Sequence, residues 1–281
     1  MGSRMLPASL FMPKETMPLV DTPLINHLVW EAAKAGVTRI HIVLSRRKEL
    51  LIRDFLSGGM AYFEEIRQDL PRDALSLGVE GIQIIPHIQE EPGGVGDAIS
   101  TAMGQIEGDF LVLLGDNILL KEHFGPAKSG PEFASGASLE LVEKFEETGF
   151  PCVGVSSVSP DELGKYGVVG FDGSRISTII EKPDPLEAPS NYVLSGRYLL
   201  PGNTSEIIDR YPMNEHGEMQ SIAILRHLID EPGIESVKLD DYALYDSGNP
   251  MSWLKSQIDH ALKREDIGVE ITNWLQERME K

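Results

Sequence analysis

The chain has 281 residues, 25 basic and 44 acidic, for a formal net charge of −19. Such an acidic surface repels phosphate backbones and anionic headgroups, which argues against nucleic-acid and membrane-surface partners. A content of 41% hydrophobic and 25% charged residues is that of a folded globular protein, not a disordered one.

In chain order, Leu24, Ile25, Leu28, Val29 and Ala32 recur at helical spacing up to Gly36, and Thr38 to Leu44 then reads as a strand. Glu49 to Phe55 and Tyr62 to Asp69 read as helical, Ile82 to Ile88 as a strand, Asp97 to Ile106 as a helix and Phe110 to Leu114 as a buried strand. This alternation predicts a parallel sheet covered on both faces. Past Gly149 the pattern changes to short β segments at Cys152–Val158, Gly167–Phe171, Ile176–Glu181 and Tyr192–Leu200, with a turn at Asp172-Gly173. Antiparallel pairing is expected there. Helices are expected at Glu218–Ile229, Met251–Arg264 and Val269–Met279, and a strand at Val237–Tyr245. With no repeat, flexible linker or low-complexity tract, the chain reads as one domain: a half over 1–150, a β-rich half over 151–250, and helices over 251–281.

The one cysteine, Cys152, excludes an internal disulfide, fits a reducing cytoplasm and is most simply a small core residue. No apolar run approaches the ~20 residues that span a bilayer. The histidines lack zinc-site spacing, and there is no Gly-x-Ser-x-Gly elbow.

Several short constellations carry chemistry. Gly2-Ser3-Arg4 with Pro13-Lys14-Glu15 offers backbone N–H groups and two cations before the first helix, suited to a triphosphate and equally to a solvated terminus. Gln89-Glu90-Glu91-Pro92-Gly93-Gly94 lies between a strand and a helix; Gln89 has donors and an acceptor for a nucleobase edge, while a tight turn capped by Asp97 accounts for the same residues. Gly115-Asp116-Asn117 and Tyr245-Asp246-Ser247-Gly248 each put a carboxylate at a strand end, where ligands bind in open α/β sheets and where turns also form. Two such carboxylates could share one Mg²⁺. Glu181-Lys182-Pro183 offers an acceptor for sugar hydroxyls and a cation for phosphate, or a surface ion pair.

Taken in order, with Tyr166-Gly167-Val168-Val169 and Gly196-Arg197-Tyr198, these motifs resemble the sugar-1-phosphate nucleotidyltransferases. The nearest likeness is to prokaryotic UTP:glucose-1-phosphate uridylyltransferases, through Arg4-Met5-Leu6-Pro7-Ala8, Pro13-Lys14-Glu15, Pro18-Leu19-Val20-Asp21 and the run Lys165 to Leu200. The resemblance implies a Rossmann-like three-layer α/β/α fold with a mixed, mainly parallel sheet and a small antiparallel sugar-binding part. It implies that Arg4, Lys14 and Lys182 are catalytic, with Lys182 on the sugar phosphate, and that Gly2, Ser3, Gln89, Gly94 and Asp116 contact the nucleotide. It further implies that Gly167, Glu181 and Gly196 line the sugar pocket and that Asp116 and Asp246 hold Mg²⁺. The expected partners are small-molecule substrates, without nucleic acid or membrane and with homo-oligomerisation left open, and the expected setting is cytoplasmic nucleotide-sugar synthesis.

The chain departs from that family pattern. Relatives begin with an apolar strand and an Ala-Gly turn before the position of Gly2, so the first strand is expected to be missing here, with the start truncated or mis-assigned. Leu10 and Phe11 stand where relatives carry a lysine and a small residue, Asp97 replaces a histidine, and Met219–Ala223 keeps only Gln220 of an Ile-Gln-Leu-Thr-Asp run. These departures leave room for a non-catalytic sugar-nucleotide-binding homologue, or for another nucleotide such as that of a thymidylyltransferase. A glycosyltransferase of similar fold is set aside because Asp116-Asn117 lacks paired aspartates.

Overall fold

A computed structural model describes residues 5–10, 13–46, 67–91, 93–210 and 221–280. Two short strands, β1 (Pro18–Leu19) and β2 (Thr22–Pro23), pair as a small antiparallel ribbon. Helix α1 (Leu24–Lys34) starts after Pro23 and ends at Ala35-Gly36. It feeds strand β3 (Arg39–Ser45), which pairs in parallel with β4 (Gln83–Gln89), His41 opposite His87. The helices expected at 49–55 and 62–69 lie almost wholly outside the described residues; Arg67–Asp69, which do not, form no helix.

Helix α2 (Gly94–Met103) begins three residues earlier than the sequence suggested, so Gly94 and Gly96 belong to its first turn. Its N-cap is Gly93 with no side-chain cap bond, so Asp97 does not cap it. Next come β5 (Phe110–Leu113) and β6 (Asn117–Leu120), then α3 (Ala137–Thr148), a helix that the sequence reading did not identify. Strands β7 (Cys152–Ser157), β8 (Gly167–Asp172), β9 (Arg175–Glu181) and β10 (Tyr192–Leu200) follow as expected, and a short helix α4 (Thr204–Ile208) comes after them. The single strand expected at 237–245 is two, β11 (Glu235–Lys238) and β12 (Ala243–Asp246), because a turn bonds Tyr242 N–H to the Leu239 carbonyl and sends them into different sheets.

A six-stranded mixed sheet runs β5-β10-β7-β11-β9-β8. Its balance differs from the expectation of a mainly parallel sheet: β11–β7 is its parallel pair and the other pairings are antiparallel. The cause is local. Asp172 and Arg175 close a hairpin between β8 and β9, and β10 runs back between β5 and β7. Because β5 pairs with β10 and β6 with β12, residues on either side of Gly149 share their sheets.

Helices cover both faces. On one, Ile99 of α2 and Ile224, Leu225 and Leu228 of α5 (Ser221–Asp230) pack on Val153, Val155, Val169 and Leu200. On the other, Ala137 and Leu141 of α3 pack on Cys152, Leu199 and Leu239. Cys152 is a core residue, its thiol pushed up to about 12 by burial. Each large apolar side chain in these clusters contributes roughly 1.5–3 kcal/mol on burial.

Helix α1 straddles a seam. Its Leu24 and Leu28 pack on Leu113 and Ile118, and its Ile25 and Val29 on Ile40 and Ile42. Helix α2 packs on β3 and β4, and its Ile99 belongs to the cluster against which Phe110 and Val112 of β5 pack. Yet β3 and β5 do not pair with each other, and among the described residues no strand lies between them. That is where a doubly wound sheet would carry a central strand.

Helix α6 (Pro250–Lys263) is capped by Asn249, whose side chain accepts from Ser252 N–H. Helix α7 (Gly268–Met279) buries only Gly268, so it does not cover the core. It leaves Val269 and Trp274 exposed, and α6 carries a stripe of exposed Met251, Leu254, Ile258 and Leu262. No helix among the described residues is long and apolar enough to cross a membrane.

Candidate active site

The ladder between β6 and β12 puts Asn117 opposite Asp246. The segment just past β5 is tied to the segment just past β12 as well: Ser247 N–H and Oγ both donate to the Asp116 carbonyl, at 2.9 and 3.0 Å. The carboxylates follow their backbones together. A methyl built on Gly248 would lie 2.9 Å from Asp246 Oδ1 and 3.8 Å from Asp116 Oδ2, so glycine keeps the space between them open. Gly248 N–H also donates to Asp246 Oδ1 at 2.7 Å, fixing that side chain.

Lys14 lies in a short 3₁₀ turn (Lys14–Thr16) whose Glu15 packs over Gly115. Its ammonium donates to Asp116 Oδ2 at 2.5 Å. Asp116 is therefore already set to receive positive charge, and with Asp246 it forms a pair of hard oxygen donors suited to Mg²⁺. Among the described residues no three His, Cys, Asp or Glu side chains form a metal cluster. A cation held here would complete its shell with phosphate oxygens and water.

Tyr166, just before β8, belongs to the sequence motif, which assigns it no role. Burial and the charges of Asp246, Glu162 and Asp116 all push its phenol up, so it remains a neutral hydroxyl near both carboxylates. Gly167 and Glu181 face each other across the β8–β9 ladder, and Glu181 Oε2 would lie 3.2 Å from a methyl on Gly167. Lys182 follows in a left-handed backbone conformation (φ +46°), its N–H donating to the Tyr166 carbonyl at 2.9 Å. A non-glycine residue held there carries strain of about 1–3 kcal/mol. Its ammonium pairs with Glu181 at 3.1 Å, both side chains about half exposed, as the ion-pair alternative anticipated.

Gly196 sits in a bulge of β10, where the register against β7 slips between Leu194 and Tyr198. Its φ of +76° and the closeness of Asn117 Nδ2, 2.8 Å from a built methyl, both demand glycine. The next residue, Arg197, is fully buried and makes a bidentate pair with Glu31 of α1 at 2.7 and 2.9 Å, while Ser138 of α3 donates to the same carboxylate at 2.5 Å. Nothing in the local sequence signals this pair, because Glu31 reads as an ordinary helix-surface residue.

Gln89 ends β4 beside Gly94, and its amide nitrogen donates to Asp97 Oδ2 at 2.5 Å. Gly2, Ser3, Arg4 and Phe11 lie outside the described residues. The structure thus brings Lys14, Asp116, Asp246, Tyr166 and Gly196 to one neighbourhood, with Gly167, Glu181 and Lys182 adjoining through the Tyr166 segment.

Proteins named for one reaction align with nearly the whole chain. A UTP–glucose-1-phosphate uridylyltransferase of Staphylococcus saprophyticus is 30% identical, with 98% of this chain and 94% of that protein aligned. The uridylyltransferase YngB of Bacillus subtilis is 29% identical, with 99% and 92% aligned. Among solved structures, a UTP-bound UGPase from Acinetobacter baumannii superposes with a TM-score of 0.80 at 26% identity, covering 98% of this chain and 95% of that one. A UDP-glucose pyrophosphorylase complexed with UDP-glucose gives 0.76 at 26% identity, covering 92% and 94%. The model of the family described as Nucleotidyl transferase matches residues 1–261, and the chain belongs to that family.

Proposed function

We propose that this protein transfers a uridylyl group from UTP to glucose 1-phosphate, giving UDP-glucose and pyrophosphate. The observation that carries the reading is the convergence of Asp116 and Asp246 beside Lys14. The relatives that support the choice of substrates are named for that reaction.

A phosphate oxygen of the sugar phosphate forms a bond to the α-phosphorus of UTP, the bond from that phosphorus to the bridging oxygen breaks, and pyrophosphate leaves. The attacking oxygen is ionised at neutral pH, so no protein nucleophile or general base is needed, and alignment and charge neutralisation dominate. Asp116 and Asp246 would hold a divalent cation, which when bound offsets charge on the nucleotide phosphates. In this reading Lys14 and Arg4 bind the triphosphate and the departing pyrophosphate, and Gly2 and Ser3 contact the nucleotide. Lys182 binds the phosphate of the sugar, its strained backbone fixing where the ammonium emerges. Gly167, Glu181 and Gly196 line the sugar pocket, and Gln89 with Gly94 faces the base. The nucleotide sits mainly on residues 1–150 and the sugar phosphate mainly on 151–250. Self-association would use the helical tail after Asp266, whose Val269 and Trp274 are exposed, and Trp274→Glu should then lower the mass measured by light scattering to that of one chain.

The test is pyrophosphate release with each of the four ribonucleoside triphosphates against several hexose 1-phosphates. UTP with glucose 1-phosphate should give the highest kcat/KM. A second reading, a non-catalytic sugar-nucleotide-binding homologue, is favoured by one observation: among the described residues no strand fills the place between β3 and β5. It requires nucleotide binding without pyrophosphate release for every pair in the panel.

A further inference from the structure

The carboxamide of Gln89 is held by two groups that can only accept. Its Nε2 donates to Asp97 Oδ2 at 2.5 Å and to the Gly94 carbonyl at 3.4 Å. A carboxylate and a backbone carbonyl have no hydrogen to give, so the amide nitrogen must face them and the oxygen must face away. Both N–H groups of Gln89 are then engaged, and its Oε1 is the group left to meet a ligand.

The placement of Asp97 is built into the turn. A methyl on Gly93 would meet the Asp97 carboxyl carbon at 2.7 Å, so the carboxylate lies folded against a glycine that alone leaves room for it. Though Asp97 is in the first turn of α2, it does not cap that helix, and its carboxylate is directed to Gln89 instead.

We propose that Asp97 determines the class of nucleobase accepted, by turning Gln89 so that only its carbonyl oxygen is offered. This rests on the reading above that Gln89 faces the base. A lone acceptor pairs with a base that presents a ring N–H, as uracil, thymine and guanine do. It is repelled by the ring nitrogen lone pair that cytosine and adenine present at the corresponding edge. Uracil and cytosine have nearly the same size, so discrimination between them isolates this contact. With Asp97 removed, Gln89 is free to rotate and offer a donor to cytosine N3 and an acceptor to its amino group.

The experiment measures kcat and KM for UTP, CTP and N3-methyl-UTP with glucose 1-phosphate, in the wild type and in Asp97→Leu, Asp97→Asn and Gln89→Ala. One misplaced hydrogen bond is worth about 1–3 kcal/mol, or roughly 5- to 150-fold. The wild type should prefer UTP over CTP by about 100-fold and reject N3-methyl-UTP by a similar factor. Asp97→Leu should lower the UTP/CTP preference to under about 10-fold, mostly through KM, and Asp97→Asn, which keeps an acceptor for Nε2, should restore it. The inference is overturned by an unchanged preference in Asp97→Leu, or by wild-type use of N3-methyl-UTP as efficiently as UTP, a readout that needs no variant to fold. Should Gln89→Ala leave the KM for UTP unmoved, the placement of Gln89 at the base falls, and the role of Asp97 with it. A raised KM in Gln89→Ala together with unchanged selectivity in Asp97→Leu overturns only the role of Asp97.

Discussion

Asp116 and Asp246, 130 positions apart in sequence, meet on either side of Gly248 because two Ser247 hydrogen bonds and the Asn117–Asp246 register tie their strands together. Lys14 extends the group by placing its ammonium on Asp116. Replacing Lys14 by Met should therefore lower kcat by about 10²-fold, the usual effect of removing one preorganised charge at a reacting phosphate. Its ion pair with Asp116 is partly exposed, the two side chains being 20% and 27% accessible, so the urea midpoint should move little. Pyrophosphate-release assays and equilibrium unfolding of the same variant check both halves.

Gly196 and Gly173 both have positive φ, +76° and +63°, but differ in what surrounds them. A methyl at Gly173 meets nothing within 4 Å, whereas at Gly196 it strikes Asn117 and Leu114. Gly173→Ala should cost about 1 kcal/mol through backbone strain alone and leave the KM for glucose 1-phosphate unchanged. Gly196→Ala should cost more and raise that KM at least ~10-fold, because relief of the clash displaces Asn117 beside Asp116. Denaturation and sugar-phosphate titration of the two variants separate strain from site damage.

The pair Glu31–Arg197 joins α1 to the β10 bulge out of reach of solvent, the two side chains being 1% and 0% exposed. Glu31→Gln or Arg197→Met alone should destabilise by about 3–5 kcal/mol, each leaving a buried charge unmatched. The double variant Glu31→Leu/Arg197→Met should recover much of that loss. Urea unfolding of these variants and the wild type, with Glu31→Leu alone added to close the double-mutant cycle, gives the coupling directly.

Much of the fold was legible in the sequence because helical and alternating apolar spacing marks α1, β3, β4, β5, β7–β10, α6 and α7. The failures have separate physical causes. Helix α3 carries Glu140, Glu143, Glu146 and Glu147 and buries only Ala137, Ser138 and Leu141, so its periodicity is faint. The turn at Leu239–Tyr242 contains no glycine or proline, so β11 and β12 read as one strand. At the site, strand-end aspartates announce themselves, but the Glu31–Arg197 contact and the Asp97–Gln89 contact are tertiary, and nothing local in the chain encodes them.

His260 is 1% exposed, and burial, with the neighbouring His27, His123 and Arg264 charges, pulls it down to about 3; burial alone pulls His27 down to about 4. Both imidazoles are neutral in the folded protein and take up protons near the ordinary value of 6.5 once unfolded. Their contribution to stability is therefore fully present above pH 6.5 and is lost progressively as the pH falls from there toward 4 and 3. The urea midpoint should drop between about pH 7 and about pH 4.5, and His260→Gln should flatten that slope. An identical slope in the variant would count against this assignment.

The most direct test of the account is the initial rate of pyrophosphate release from UTP and glucose 1-phosphate, followed as Mg²⁺ is raised, for the wild type and Asp246→Asn. The wild-type rate should saturate with Mg²⁺ and vanish in excess EDTA, and the variant should run at least ~100-fold slower at any Mg²⁺ concentration. Equal rates in the two proteins, or full wild-type turnover in EDTA, would contradict it.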